Sequence, residues 1–169
     1  VIGTLAKKAE KQGFITYMMT PDKDFGQLVS DKIFMYKPAR MGKGAEILGV
    51  PEILEKWGIE RIDQVIDILG LWGDASDNIP GVPGVGEKTA KKLIAEYGSI
   101  ENTIEHIHEM KGKMKEKFEA NIEQALISKK LATIDLDSPI EFEPENYDVE
   151  PFDEPFLTDL FQKLEFKTL

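Results

Sequence analysis

The stretch GDASDNIPGVPGVGEKT, residues 73–89, decides how the rest of the chain is read. It puts two aspartates, Asp74 and Asp77, directly before a turn rich in glycine and proline. Glu87-Lys88-Thr89 then open a helical pattern. Gly81 and Gly86 have the spacing of a phosphate-binding P-loop, but Glu87 stands where its lysine should be. A helix also precedes the turn, where a P-loop needs a strand. The stretch therefore reads otherwise. A short Gly-rich turn can point backbone N–H groups outward, and the helix behind it adds positive potential. Such a turn holds a DNA phosphate without reading base sequence. Gly81, Val82, Gly84, Val85 and Gly86, with Lys88, Thr89, Lys91 and Lys92 on the helix, are the predicted DNA contacts. Lys111, Lys113, Lys115 and Lys117 form a second basic cluster, which also reads as a solvated face.

Working outward, the helical texture runs upstream through PEILEKWG and ERIDQVIDILGLW. Downstream it runs through EKTAKKLIAEYG, SIENTIEHIHEM and one long helix over KMKEKFEANIEQALISKKLATI. Ser99 and Asn102 after Gly98 mark a stop and restart. Nearer the start, VIGTLAKKAEKQG has helical spacing and ends at Gly13. The chain starts with Val and nothing precedes it as a cap, so the sequence reads as a fragment beginning inside a helix, with a flexible leader ahead of Val1 as the alternative reading. FITYMMT reads as a buried parallel strand and KIFMYKP as a second strand; MGKGAEILG reads as a hairpin or loop. PIEFEP is a strand candidate, and EPFLTDLFQKLEF a closing helix.

Asp22 and Asp24 follow the first strand at its carboxyl end, where ligands gather in open α/β sheets. They equally suit a turn or an N-cap. Asp74 and Asp77 follow a helix C-terminus, whose partial negative charge a bound cation would offset. Four carboxylates from separate segments fit magnesium and two-metal phosphodiester chemistry. DASDNIPG lacks the alternating ligands of an EF-hand. His106 and His108, two apart on a helical pattern, read as surface residues pointing different ways.

The chain of 169 residues carries a net charge of −10, but ten Asp and Glu lie within residues 131–162, which hold no Lys or Arg. The remainder has 21 acidic and 21 basic residues, so a local basic face for DNA is possible. There is no cysteine, which excludes disulfides and thiolate metal sites. No apolar run is long enough to cross a membrane.

PDKDFGQLVSD and GLWGDASDNIPGVPGVGEKTAKKLIAEYGSIE together resemble the 5′-nuclease domains of bacterial DNA polymerases I and, more widely, the flap endonucleases. The resemblance runs the length of the chain. It implies an α/β remnant of a PIN-like (resolvase-like) domain plus an all-α helix–three-turn–helix module, a helix-hairpin-helix, SAM-like fold. The implied divisions are 1–50 for the nuclease part, 51–134 for the DNA-binding module and 135–169 for an acidic segment packing back on the nuclease part through residues such as Phe142, Tyr147, Phe152, Phe156 and Phe166.

The resemblance implies a 5′-3′ exonuclease and flap endonuclease acting in replication and repair. Its cofactors would be two Mg2+ or Mn2+ ions, with K+ in the hairpin module. Asp22, Asp24, Asp74 and Asp77 would be the catalytic metal ligands, chiefly at the second metal. The partners would be duplex DNA with a 5′ flap or nick and a polymerase domain in the same parent chain, in the bacterial cytoplasm. The family's other carboxylates and its helical arch lie upstream of the position matching Val1, so the chain is expected to be inactive alone. Exposed strands could pair into a dimer. The competing readings are a non-catalytic module gripping duplex DNA and an interaction domain using the acidic tail.

Overall fold

The computed structural model describes residues 1–39 and 44–166. Met41, Gly42 and Lys43, within the stretch read as a hairpin or loop, lie outside the described residues.

Helix α1 (Ile2–Lys11) ends before Gly13, whose φ of 94° is the left-handed geometry expected of a helix stop. Its buried face is small (Gly3, Thr4, Ala6 and Ala9), so it can lie close to the sheet. Strands β1 (Thr16–Met19), β2 (Ile33–Lys37) and β3 (Glu46–Leu48) form a sheet in the order β1-β2-β3. β1 and β2 run parallel, with Thr16 opposite Ile33. β3 pairs antiparallel to β2, with Leu48 opposite Met35, so the hairpin alternative holds for its described part.

The expectation that β1 is buried fails. Among the described residues it is an edge strand with one neighbour and one covered face. Met18 faces the core, while Ile15, Tyr17 and Met19 are exposed. An apolar run alone cannot say how many faces its neighbours cover.

Helix α2 (Val50–Trp57) starts with Pro51 in its first turn and Glu52 accepting from the Gly49 N–H, and stops at the left-handed Gly58. Helix α3 (Gln64–Trp72) is almost wholly buried and forms the axis of the helical half. Helices α4 (Glu87–Tyr97) and α7 (Ile122–Ala132) pack on it. The approach of α7 is close: a Cβ on Gly70 would come within 2.9 Å of the Lys129 Cα. Small α7 residues Ala125, Ser128 and Ala132 face this contact. Helix α5 (Ile100–Glu105) is capped by Ser99, which accepts from the Asn102 N–H as the sequence suggested.

A buried polar staple joins these helices. Asp67 of α3 accepts from the Ile100 N–H at 3.0 Å and pairs with Lys129 of α7 at 2.7 Å. Burial raises the Asp67 pKa, against the hydrogen bond from Lys129.

The single long helix predicted after residue 112 is instead two, α6 (Gly112–Ala120) and α7. They break at Asn121, whose amide donates to the Lys117 carbonyl while Phe118 is fully buried. That side chain competes for a helical carbonyl, as Asn does in helix interiors. The rings of His106 and His108 do not diverge: they stack at 6.0 Å, because residues 107–109 tighten into a 3₁₀ turn.

PIEFEP is no strand among the described residues. Two prolines, Pro139 and Pro144, remove ladder donors, and Lys8 Nζ takes the Ile140 carbonyl at 2.6 Å. A 3₁₀ turn (Pro144–Tyr147) follows. The first part of the acidic segment lies on α1: Ser138 N donates to Thr4 Oγ1, and the Phe142 ring meets Phe14 at 5.6 Å. Beyond it, helix α8 (Glu154–Lys163), capped by Asp153, buries no residue. Phe152, Phe156 and Phe166, named as packing anchors, stand exposed.

Candidate functional site

The chain leaves β1 at Met19 and turns at once. Asp22 caps the 3₁₀ turn Lys23–Leu28, its carboxylate accepting from the Asp24 N–H at 3.0 Å. Gln27 ties this turn to the end of α7: its amide donates to the Ala132 carbonyl at 2.9 Å and its oxygen accepts from the Ile134 N–H at 2.9 Å. Asp24 is thereby buried and pointed at the loop that follows α3.

That loop is closed on itself. Asp74 N–H donates to the Ile79 carbonyl at 2.9 Å and Ile79 N–H returns to Asp74 at 2.8 Å. Ser76 N–H donates to Asp74 Oδ1, and Asn78 takes a left-handed φ of 57°. The turn places exposed Asp77 beside Asp74, which is only 9% exposed. One carboxylate oxygen each from Asp24, Asp74 and Asp77 lies within 4.8 Å of the others. Asp22 stands outside this trio, but it lines the same 290 Å³ cavity with Asp24 and Asp77. Sequence separations of 50 and 53 residues thus close into one centre.

Bare carboxylates at this spacing repel by about 3 kcal/mol per pair at an effective dielectric of ~20. Lys23 offsets part of that. Its ammonium pairs with Asp74 Oδ2 and stands 3.4 Å from Asp24 Oδ1 without hydrogen-bond geometry. Asp24 Oδ1 is therefore a buried oxygen with no hydrogen-bond partner. Burial pushes the Asp24 pKa up, helped by the charges of Asp22 and Asp74 and opposed by Lys23. The hydrogen bond from Lys23 holds Asp74 down at about 2, with Ser76 assisting against burial. For Lys23, burial lowers the pKa, but the hydrogen bond to Asp74 and the charges of Asp24 and Asp74 outweigh it and the net shift is upward. An all-oxygen set with an orphaned, buried acceptor suits a hard divalent cation.

The hairpin begins two residues after Ile79, and its backbone is pressed against the end of α3. Gly73 and Gly81 have φ of 78° and 61°. A Cβ on Gly81 would stand 2.5 Å from the Gly73 nitrogen and 2.7 Å from the Trp72 carbonyl oxygen. α7 reads both polar groups of Gly81: its N–H donates to Ser128 Oγ at 3.0 Å, and its carbonyl accepts from Gln124 at 2.7 Å. Val82 N–H goes to the Leu71 carbonyl and Val85 N–H to Val82, with both side chains buried. The expectation that Gly81, Val82 and Val85 offer outward amides is thus corrected: these three build the turn.

Gly84, Gly86, Glu87 and Lys88 carry the amides that have no acceptor among the described residues. Thr89 N–H closes back on Gly86. Lys88 and Lys92 are exposed and form no ion pair among the described residues. Lys91 turns away: it donates to the Lys56 carbonyl at 3.0 Å, pairs with Glu87 at 2.8 Å and lies over Trp57. Lys117 from the second basic cluster instead stands over Gly84, in the space a Cβ would fill.

The sequence pattern does not single out Lys23, Gln27, Gln124, Ser128 and Lys117 for these contacts. Gln124 and Ser128, four apart beside Ala125 and Ala132, carried a readable signal of a polar stripe on a close-packed helix face. The reach of Lys23 and Lys117 carried none.

Two family models match: 5′-3′ exonuclease, N-terminal resolvase-like domain, over residues 1–58, and 5′-3′ exonuclease, C-terminal SAM fold, over residues 60–155. The DNA polymerase I of Bacillus subtilis is 45% identical over 100% of this chain, which spans 19% of that relative's length. A bacteriophage T5 5′-exonuclease with divalent metal ions (zinc) bound has TM-score 0.67 at 21% identity, covering 78% of this chain and 47% of its own. A bacteriophage T5 flap endonuclease in complex with DNA and metal ions has TM-score 0.67 at 20% identity, over 78% of this chain and 47% of its own. At that identity the likeness is one of fold.

Proposed function

The chain belongs to the 5′-3′ exonuclease family, and on that premise we propose that it is the duplex-gripping and part of the metal-holding portion of a structure-specific 5′ nuclease within a longer DNA polymerase I. The observation that carries this is the coupling of two devices. Asp74 and Asp77 each bring a carboxylate oxygen within 4.8 Å of Asp24, and Ile79 to Gly81 lead without a break into the hairpin. Where the DNA backbone rests is thereby tied to where it is cut.

Asp24, Asp74 and Asp77 would hold a divalent ion, Mg2+ or Mn2+, with Asp22 at the cavity rim serving a neighbouring one. When bound, such an ion supplies Lewis-acid polarisation of a phosphoryl oxygen and activation of water. The protein's own part is positional. Gln27 and the closed 74–79 turn hold the backbone of the three carboxylates in place before an ion binds. The free amides of Gly84, Gly86, Glu87 and Lys88 meet a duplex phosphate at the α4 N-terminus, with Lys88, Lys92 and Lys117 adding charge. A potassium ion in this turn would draw on carbonyls of which those of Gly81 and Val82 already accept one bond each. The substrate is duplex DNA with a 5′ flap or nick. The T5 flap endonuclease of like fold, bound to DNA and metal ions, supports this.

Two-ion chemistry needs more ligands than three clustered carboxylates, so the chain by itself is proposed to bind but not to turn over. The test is a labelled 5′-flap duplex with Mg2+ or Mn2+. Cleavage by the isolated chain, abolished by Asp77→Asn, would sink the claim of inactivity. Salt-sensitive duplex binding with no metal binding at all would favour the non-catalytic module.

A further inference from the structure

Lys23 sits between Asp22 and Asp24 in sequence, yet its ammonium reaches across 51 residues to Asp74. It occupies the space between Asp24 and Asp74 that a cation shared by these two carboxylates would need. The fit is incomplete. One ammonium leaves Asp24 Oδ1 buried and without a hydrogen bond, and it makes no ion pair with Asp77 among the described residues. The Lys23 side chain is 34% exposed, so it has a path to water. The Trp72 ring, 5.6 Å from Nζ, offers its face beside that path.

We propose that Lys23 is a displaceable counter-ion of the carboxylate centre. It holds Asp24 and Asp74 in place in the metal-free protein and yields to a divalent cation. This rests on reading the carboxylates as a metal site. A lysine is suited to the task, being a point charge on a flexible stem. A divalent ion brings twice the charge and accepts several oxygens at once, including the one that Lys23 leaves orphaned. A part-exposed ion pair is weak, so displacing it costs little. The lysine therefore sets the metal affinity by competition, while keeping three close carboxylates from flying apart when no metal is there.

The test uses the 169-residue chain and Mn2+ alone as probe. Lys23→Met keeps the stem and removes the charge. Calorimetric titration of wild type, Lys23→Met and Asp74→Asn is paired with melting curves in EDTA and in Mn2+. Lys23→Met is expected to bind Mn2+ about two- to fivefold more tightly, the equivalent of a part-exposed ion pair removed. It should melt below wild type in EDTA and recover in Mn2+. Equal or weaker binding by Lys23→Met overturns the proposal. If Asp74→Asn then loses binding, the metal reading survives without it. No binding by either wild type or Lys23→Met overturns both. If Lys23→Met fails to fold, Lys23→Gln replaces it. A chain that both substitutions unfold also overturns the proposal, because a displaceable group cannot be indispensable to the fold.

Discussion

Replacing Gly81 by alanine tests whether the hairpin and the acidic loop are one rigid unit. The left-handed φ of 61° costs an alanine about 1 kcal/mol. The new Cβ would meet backbone atoms of Trp72 and Gly73 at 2.5 to 2.7 Å, and none of them ends a flexible side chain that could move aside. Relief requires the 81–86 turn to shift off α3, loosening the bonds from Gly81 to Ser128 and from Gln124 to Gly81, each worth about 1 kcal/mol. With ~1–2 kcal/mol for the overpacking itself, the loss is about 4 kcal/mol, in the exceptional range for one substitution. Gly86→Ala is the control: it has φ of −92° and nothing within 4 Å of a Cβ. Gly86 is the α4 N-cap, where alanine is disfavoured, so the control should lose up to about 1 kcal/mol, and urea denaturation followed by circular dichroism should separate the two by about 3 kcal/mol. If Gly81→Ala matches wild type to within ~0.5 kcal/mol, the close-contact argument is wrong.

Three further outcomes follow from the same geometry. Lys88→Ala and Lys92→Ala should weaken duplex binding and each lower the salt slope by about 1, whereas Lys91→Ala, held by Lys56 and Glu87, should not; fluorescence anisotropy across salt concentrations decides it. Asp67→Ala removes the Ile100 cap and a buried partner of Lys129, and should cost about 2–4 kcal/mol in a urea melt; a loss under ~0.5 kcal/mol would show the staple to be idle. Asp74, held at about 2 against an ordinary 3.8, contributes stability that is full above about pH 4 and lost as pH falls towards 2. Asp24, raised by burial, acts in the opposite sense, taking up its proton in the folded state first. The stability gap between wild type and Asp74→Asn should therefore close on acidification, and a gap constant with pH would refute the Lys23 pairing.

The helices were legible because their signals are local. Apolar spacing together with Gly13 and Gly98 marked where two of them stop, and Ser99 marked a start. What failed was whatever depended on neighbours. Asn121 broke a continuous helical pattern, Pro139 and Pro144 silenced an alternating one, and β1 lacked a cover for its second face.

The site divides in the same way. Residue type and order alone determined that Asp74 and Asp77 adjoin a Gly-Pro turn leading into a helix, because the closed 74–79 loop is built from short-range bonds. Only the tertiary structure decided which carboxylates meet. Asp24 joins Asp74 and Asp77, while Asp22 spends its oxygen on an N-cap and stays at the rim. Only it decided that Lys91 faces α2, that Lys117 covers Gly84, and that Lys23 stands among the acids. Long side chains reach partners chosen by how α3, α4, α6 and the β1 turn pack, and a linear spacing holds no record of that packing.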